Sequence, residues 1–135
     1  MKKVLIVDGQ GGRIGRQLAE LLAPYNGDRL ELTVVGTNSA ATANMMKSGV
    51  TRGATGENAV IVNARRAHVI AGPVGIVIAD ALLGEVTPAA ALAVGQSEAV
   101  KVLIPVSRCD NIVVGVGDNS LSAMIAEAAE EVLKL

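Results

Sequence analysis

Lys3-Val-Leu-Ile-Val7, then Asp8-Gly-Gln-Gly-Gly-Arg-Ile-Gly15, then Leu18, Leu21 and Leu22 at helical spacing are the residues that decide the fold. A short β-branched apolar run, a glycine turn and an apolar stripe three to four residues apart read as strand, turn and helix. Pro24 and Asn26-Gly27-Asp28 end the helix. Leu30 to Val35 is apolar with little alternation, the pattern of a strand buried on both faces. The unit is βαβ, with a connection long enough to return parallel and, by the usual handedness, a right-handed crossover.

The rest of the chain continues in the same manner. Ala40 to Lys47 predicts a second helix, stopped at Ser48-Gly49. Thr55 is placed to cap a third, over Ala59 to Arg66, with Glu57 complementing the positive end of its dipole. His68 to Ala71 predicts a strand, Gly72-Pro73 a turn, and Val74 to Leu83 a buried helix ended by Gly84. Thr87-Pro88 opens a short helix that stops near Gly95. Lys101 to Val106 and Asn111 to Val116 predict two strands whose link is too short for a parallel crossover, hence an antiparallel hairpin at a sheet edge. Asn119 or Ser120 caps a last helix through Leu133, with Ala123, Ile125 or Ala126, Ala129 and Val132 available for its buried face. The expected fold is α/β: a three-layer Rossmann-like sandwich of about five mostly parallel strands with a C-terminal hairpin.

Composition narrows the function classes. The 135 residues suit a single domain, 1–135, and no linker or repeat divides them. Half the residues are hydrophobic, yet Tyr25 is the sole aromatic, so the core is built of Ala, Val, Ile and Leu, as in packed parallel strands. With 12 basic and 13 acidic residues and no basic stripe, nucleic acid is a poor partner. The opening apolar run reaches only Val7, too short for a signal sequence, and Val74 to Leu83 is about half the roughly 20 residues of a membrane span. Cys109 stands alone, which suits a reducing compartment. A cytoplasmic protein without membrane contact is expected, and the apolar excess points to a homo-oligomer.

The candidate chemistry is backbone chemistry. Gly9, Gly12 and Gly15 have the Gly-x-x-Gly-x-x-Gly spacing of a phosphate-binding turn, whereas the Gly-x-Gly-x-x-Gly form fits less well because Gly9 and Gly11 are followed by Ile14 at the third glycine position. Glycine permits the turn and lets a pyrophosphate reach the helix amides, with Gly12 as the expected point of closest approach. The same glycines would also serve a tight corner with no ligand. An acid that would hold ribose hydroxyls is missing after the second strand, where Thr37, Asn38 and Ser39 stand. Their hydroxyls and amide suit a ribose or a 2′-phosphate, or merely a helix cap, and Arg52 could add charge; the balance leans toward NADP or another nucleotide over NAD. Thr55, Glu57 and Asn58, then Gly72 and Gly75, and the Gly115–Asn119 loop are further polar glycine segments expected along one sheet edge. Asp8 and Glu57 are the acids best placed for a ligand, while Asp80 reads as a buried partner for a backbone group. His68, at a strand start, falls at the opposite edge. No P-loop lysine, no Tyr-x-x-x-Lys and no metal-ligand set is present in the sequence, so no catalytic residues are assigned.

Asp8-Gly-Gln-Gly-Gly, Gly36-Thr-Asn-Ser, Gly53-Ala-Thr-Gly-Glu-Asn, Gly72-Pro-Val-Gly-Ile and Leu103-Ile-Pro together resemble a small uncharacterised bacterial family, a domain of unknown function common in anaerobes. The resemblance spans nearly the whole chain and implies one domain, but no activity, substrate or catalytic residue. The residues themselves point to a nucleotide or other phosphorylated small molecule bound at the strand C-terminal edge, in a sensor or binding domain. The alternatives are an NADP-dependent oxidoreductase, whose cofactor would carry the reaction, and a structural oligomer without a ligand.

Overall fold

The computed structural model describes residues 1–106 and 111–135. Its elements run β1 (Lys2–Asp8), α1 (Arg13–Leu22), β2 (Leu30–Gly36), α2 (Ser39–Met46), β3 (Gly53–Thr55), α3 (Glu57–Arg66), β4 (Val69–Pro73), α4 (Pro88–Gln96), β5 (Val100–Ile104) and α5 (Leu121–Lys134). The strands form one parallel sheet in the order β3-β2-β1-β4-β5. Alternation along β1 divides the core. Val4 and Ile6 join Leu18, Leu22, Met45, Ile125 and Val132 on the face covered by α1, α2 and α5. Leu5 and Val7 join Val60, Ala64, Ala90 and Val94 on the face covered by α3 and α4. The α/β, three-layer Rossmann-like expectation therefore holds. Since β1 and β4 are neighbours whose following segments leave toward opposite faces, the crevice between their C-terminal ends is the topological switch point.

Several local expectations do not hold. Asn111 to Val116 forms no strand, so the hairpin is absent: β5 lies parallel to β4 because α4 is their crossover, and the proposed link, 107–110 with Cys109, falls outside the described residues. Gly72 and Pro73 belong to β4 and are not a turn; a Cβ on Gly72 would run into the carbonyl oxygen of Val7, so glycine is what lets the two strands meet there. Val74 to Leu83 is not a helix. A single 3-10 turn (Val74–Val77) leads into a strap in which Asp80, Leu82 and Leu83 take left-handed backbone angles of 66°, 57° and 57°. Such angles cost about 1–2 kcal/mol each for L-residues, so something must hold the strap down. Asp80 is exposed and not a buried partner. The cap of α3 is Gly56, not Thr55, whose hydroxyl lies 2.7 Å from that of Thr42. On α5, Ile125, Ala129 and Val132 are buried as expected, with Ile125 rather than Ala126 taking that place, while Ala123 is exposed and Ala128 is buried instead. Among the described residues, no helix is long and apolar enough to cross a membrane.

Candidate functional site

The turn after β1 is clasped by one side chain. Asp8 ends the strand nearly buried, and its two carboxylate oxygens accept the amides of Gly9 and Gly15, each at 2.8 Å. It thereby ties the strand end to the first turn of α1. Burial pushes its pKa above the ordinary carboxylate value; the amides of Gly15 and Gly9 pull the other way without prevailing, and nearby Glu85 adds to the rise.

Each glycine at the expected spacing has a packing reason. Gly12, the N-cap of α1, has φ of 70°, and a Cβ there would lie 2.6 Å from the carbonyl oxygen and 2.8 Å from the Cα of Ala41 on α2. The space a Cβ of Gly12 would take is thus filled by α2, so packing alone accounts for glycine there. A Cβ on Gly9 would meet Thr37 Oγ1 at 2.5 Å and Leu82 Cδ1 at 2.7 Å; one on Gly15 would meet Met45 and Asp8. Gly11 differs. Its nearest neighbour in that direction is Arg13 Cγ at 3.9 Å, and no left-handed angle constrains it.

Beside this turn lies a cleft of about 240 Å³ lined by residues 8–14, Gln17, Pro73, Gly75, Leu82, Val106 and Leu121. Among the described hydrogen bonds, none uses the amide hydrogens of Gly11, Arg13 and Ile14, three cleft-lining residues at the positive end of α1. Of the residues expected at the site, Asp8, Gly9, Gly11, Gly12, Ile14 and Gly75 line the cleft. The others do not. Gly15 and Gly72 are buried in packing, Ser39 is exposed on α2, and Glu57 and Asn58 open α3 on the solvent side beyond β3. Arg52 pairs with Glu31 at 3.2 Å and bonds Thr33, back along β2 from its C-terminal end. His68 accepts the amide of Lys3 at 2.9 Å, at the opposite edge as expected. Among the described residues, no group of three or more His, Cys, Asp or Glu is placed to hold a metal ion.

The residue that sequence reading missed is Glu85. It comes from the strap after β4, and its Oε1 accepts the amide of Gln10 at 2.8 Å, the hydroxyl of Thr37 at 2.8 Å and the side-chain amide of Asn38 at 2.7 Å. Asn38 also donates to the carbonyl of Gln10 and caps α2 by accepting the amide of Ala41, so Thr37 and Asn38 face a carboxylate. The available signal was a lone charge, Glu85, in the apolar stretch Ala81 to Val86. Burial pushes the Glu85 pKa up, but the bonds from Gln10, Thr37 and Asn38 outweigh it, and the group lies below the ordinary carboxylate range. A depressed native pKa stabilises the fold above the unfolded value, about 4.3, and that stability is lost as pH falls through the native one. Wild type should therefore melt above Glu85→Gln at pH 7, with the gap closing below about pH 4. A gap that does not change with pH would show that the carboxylate's charge does not hold the strap.

A profile of the family described as Domain of unknown function (DUF3842) matches residues 3–135. No curated protein matches the chain. Among solved structures, one described as an arsenate reductase in the intermediate state is similar, with 15% identity over 99% of this chain and 98% of that one and a TM-score of 0.46.

Proposed function

We propose that this chain, which belongs to the DUF3842 family, binds a phosphorylated small molecule, nucleotides included, in the crevice between the ends of β1 and β4. The observation that carries the reading is the set of amide hydrogens of Gly11, Arg13 and Ile14, three cleft-lining residues, without acceptors at the N-terminus of α1. Oriented amides and the helix dipole favour an anion there, and the Arg13 side chain stands at the same mouth. Ile14, Pro73, Leu82, Val106 and Leu121 give the cleft an apolar wall for the body of the ligand. Among the described residues, those lining the cleft offer backbone amides and apolar side chains, which suits binding or sensing.

Gly11 supplies the test because a side chain there enters open space. With pyrophosphate or ADP at about 100 times the dissociation constant, wild type should gain roughly 2.7 kcal/mol. For a domain of this size that is a rise in melting temperature of about 6–15 °C. Gly11→Val should melt within a few degrees of unliganded wild type and lose that rise. A variant that keeps the full rise, or a wild type that responds to neither compound, overturns the reading. The latter result favours the second reading, a ligand-free structural role, which the packing contacts of Gly9, Gly12 and Gly15 support.

A further inference from the structure

We infer that Glu85 makes this crevice select a ribosyl group with a free 2′,3′-diol and reject one that is phosphorylated there. The inference rests on the proposed phosphate site and names the class of ligand that site takes.

In this topology the end of the second strand is where a carboxylate holds ribose hydroxyls. Here β2 ends in Val35-Gly36, followed by Thr37-Asn38, with no acid. Glu85, which does not itself line the cleft but bonds the amide of Gln10 at its rim, brings one to that strand end from the strap after β4: its carboxylate rests on the side chains of Thr37 and Asn38 and on the amide of Gln10. The long reach follows from strand order, since β4 lies against β1 and its outgoing strap passes over the turn after β1.

The two oxygens are used unequally. All three of these donors end on Oε1, and none of the described hydrogen bonds ends on Oε2, although the side chain is only partly buried. One oxygen is thus pinned and the other stays open to accept, which fixes the carboxylate before any ligand arrives. An ionised carboxylate accepts only. A vicinal diol supplies the hydrogens that it needs, whereas a phosphate supplies none at neutral pH and adds a like charge.

Spacing links this group to the anion site. The Gln10 amide is taken by Glu85, and the very next amide, that of Gly11, is open. A diol at Glu85 and a phosphate at Gly11 to Ile14 therefore sit at adjacent points of one turn, as they do on a ribose that carries a 5′-phosphate. Thr37 and Asn38 then serve the ribose indirectly, as positioning residues that hold the carboxylate.

Titration calorimetry on the full chain tests this with the four ribonucleoside 5′-monophosphates, their 2′-deoxy counterparts and adenosine 2′,5′-bisphosphate. Loss of one charged hydrogen bond should weaken binding by roughly tenfold or more, so the best ribonucleotide should exceed its deoxy form by that factor and the bisphosphate by more. Glu85→Gln keeps an oxygen for Gln10, Thr37 and Asn38 but removes the charge, and should narrow the gap to the bisphosphate at least about tenfold. Equal binding of ribo and deoxy forms, tighter binding of the bisphosphate, or a gap unchanged in Glu85→Gln would overturn the inference. If no nucleotide binds while pyrophosphate stabilises wild type and not Gly11→Val, the diol inference falls and the phosphate site stands; if pyrophosphate also has no effect, both fall.

Discussion

Gly12→Val should cost about 2–5 kcal/mol, the sum of a β-branched residue forced into the left-handed region and an overpacked contact. The first part follows from φ of 70°, the second from the Ala41 backbone within 2.8 Å of the added Cβ. Backbone cannot swing aside as a side chain can, so α2 would have to move off α1. Against a total stability of about 5–15 kcal/mol this is a large fraction, and the melting temperature should fall by roughly 10–20 °C. Circular dichroism melts of Gly12→Val and Gly11→Val, made side by side, separate the two adjacent glycines. A Gly12→Val protein that melts within 3 °C or so of wild type would mean that α1 and α2 are not as close as described.

That contrast shows what the glycine motif did and did not disclose. The spacing of Gly9, Gly12 and Gly15 announced a strand-to-helix turn, which is present, because an apolar strand and a helical stripe flank it. It could not say which glycine faces a ligand. Gly9 and Gly12 are glycine because Leu82 and Ala41 press on them, and both neighbours come from distant segments. The strands β1, β2, β4 and β5 and all five helices were legible in outline from apolar runs, caps and breakers, although β5 pairs parallel rather than in a hairpin. β3 was not: Gly53-Ala-Thr55 has no pattern of its own and becomes a strand by pairing with Val34 to Gly36. The hairpin failed for the opposite reason. Asn111 to Val116 has the composition of a strand, yet Ile112 and Val114 are almost wholly exposed and Gly115 and Gly117 take left-handed angles. Local propensity does not name a tertiary partner.

Glu85 was illegible for a topological reason. It meets Gln10 across 75 positions of sequence, and only the adjacency of β4 to β1 brings the two together. The segment leading to it, Val74 to Leu83, reads as an apolar helix because Val74, Ile76, Val77, Ile78 and Leu82 are apolar; in fact Ala81 and Val86 pack with Ala91 in a small cluster of their own. Hydrogen bonds from Thr37, Asn38 and Gln10 to Glu85 help offset the left-handed angles at Asp80, Leu82 and Leu83. The sequence carries no acid directly after β2, and only the fold brings Glu85 against Thr37 and Asn38 there.

Asp8→Ala should be nearly as damaging as Gly12→Val, for a different cause. The carboxylate is the acceptor for the amides of Gly9 and Gly15, and its removal leaves both N–H groups unpaired in a buried turn. At about 1–3 kcal/mol for each of the two unpaired groups, the loss is about 2–6 kcal/mol. Asp8→Asn retains one acceptor and turns an N–H toward the other donor, so it should fall between wild type and the alanine variant. The pH dependence identifies the mechanism. Because burial raises the native pKa of Asp8, the native chain binds its proton more tightly than the unfolded chain does, and this group's contribution grows more favourable as pH falls from above the native pKa toward the unfolded value, about 3.9. The stability gap between wild type and Asp8→Ala should therefore widen on acidification over that window, while the gap between wild type and Glu85→Gln holds down to about pH 4 and closes below it. Urea unfolding at a series of pH values from about 7 down to about 3 measures both. If the two gaps move in the same direction, the account of Asp8 as a buried clasp whose charge the fold tolerates at a cost is wrong.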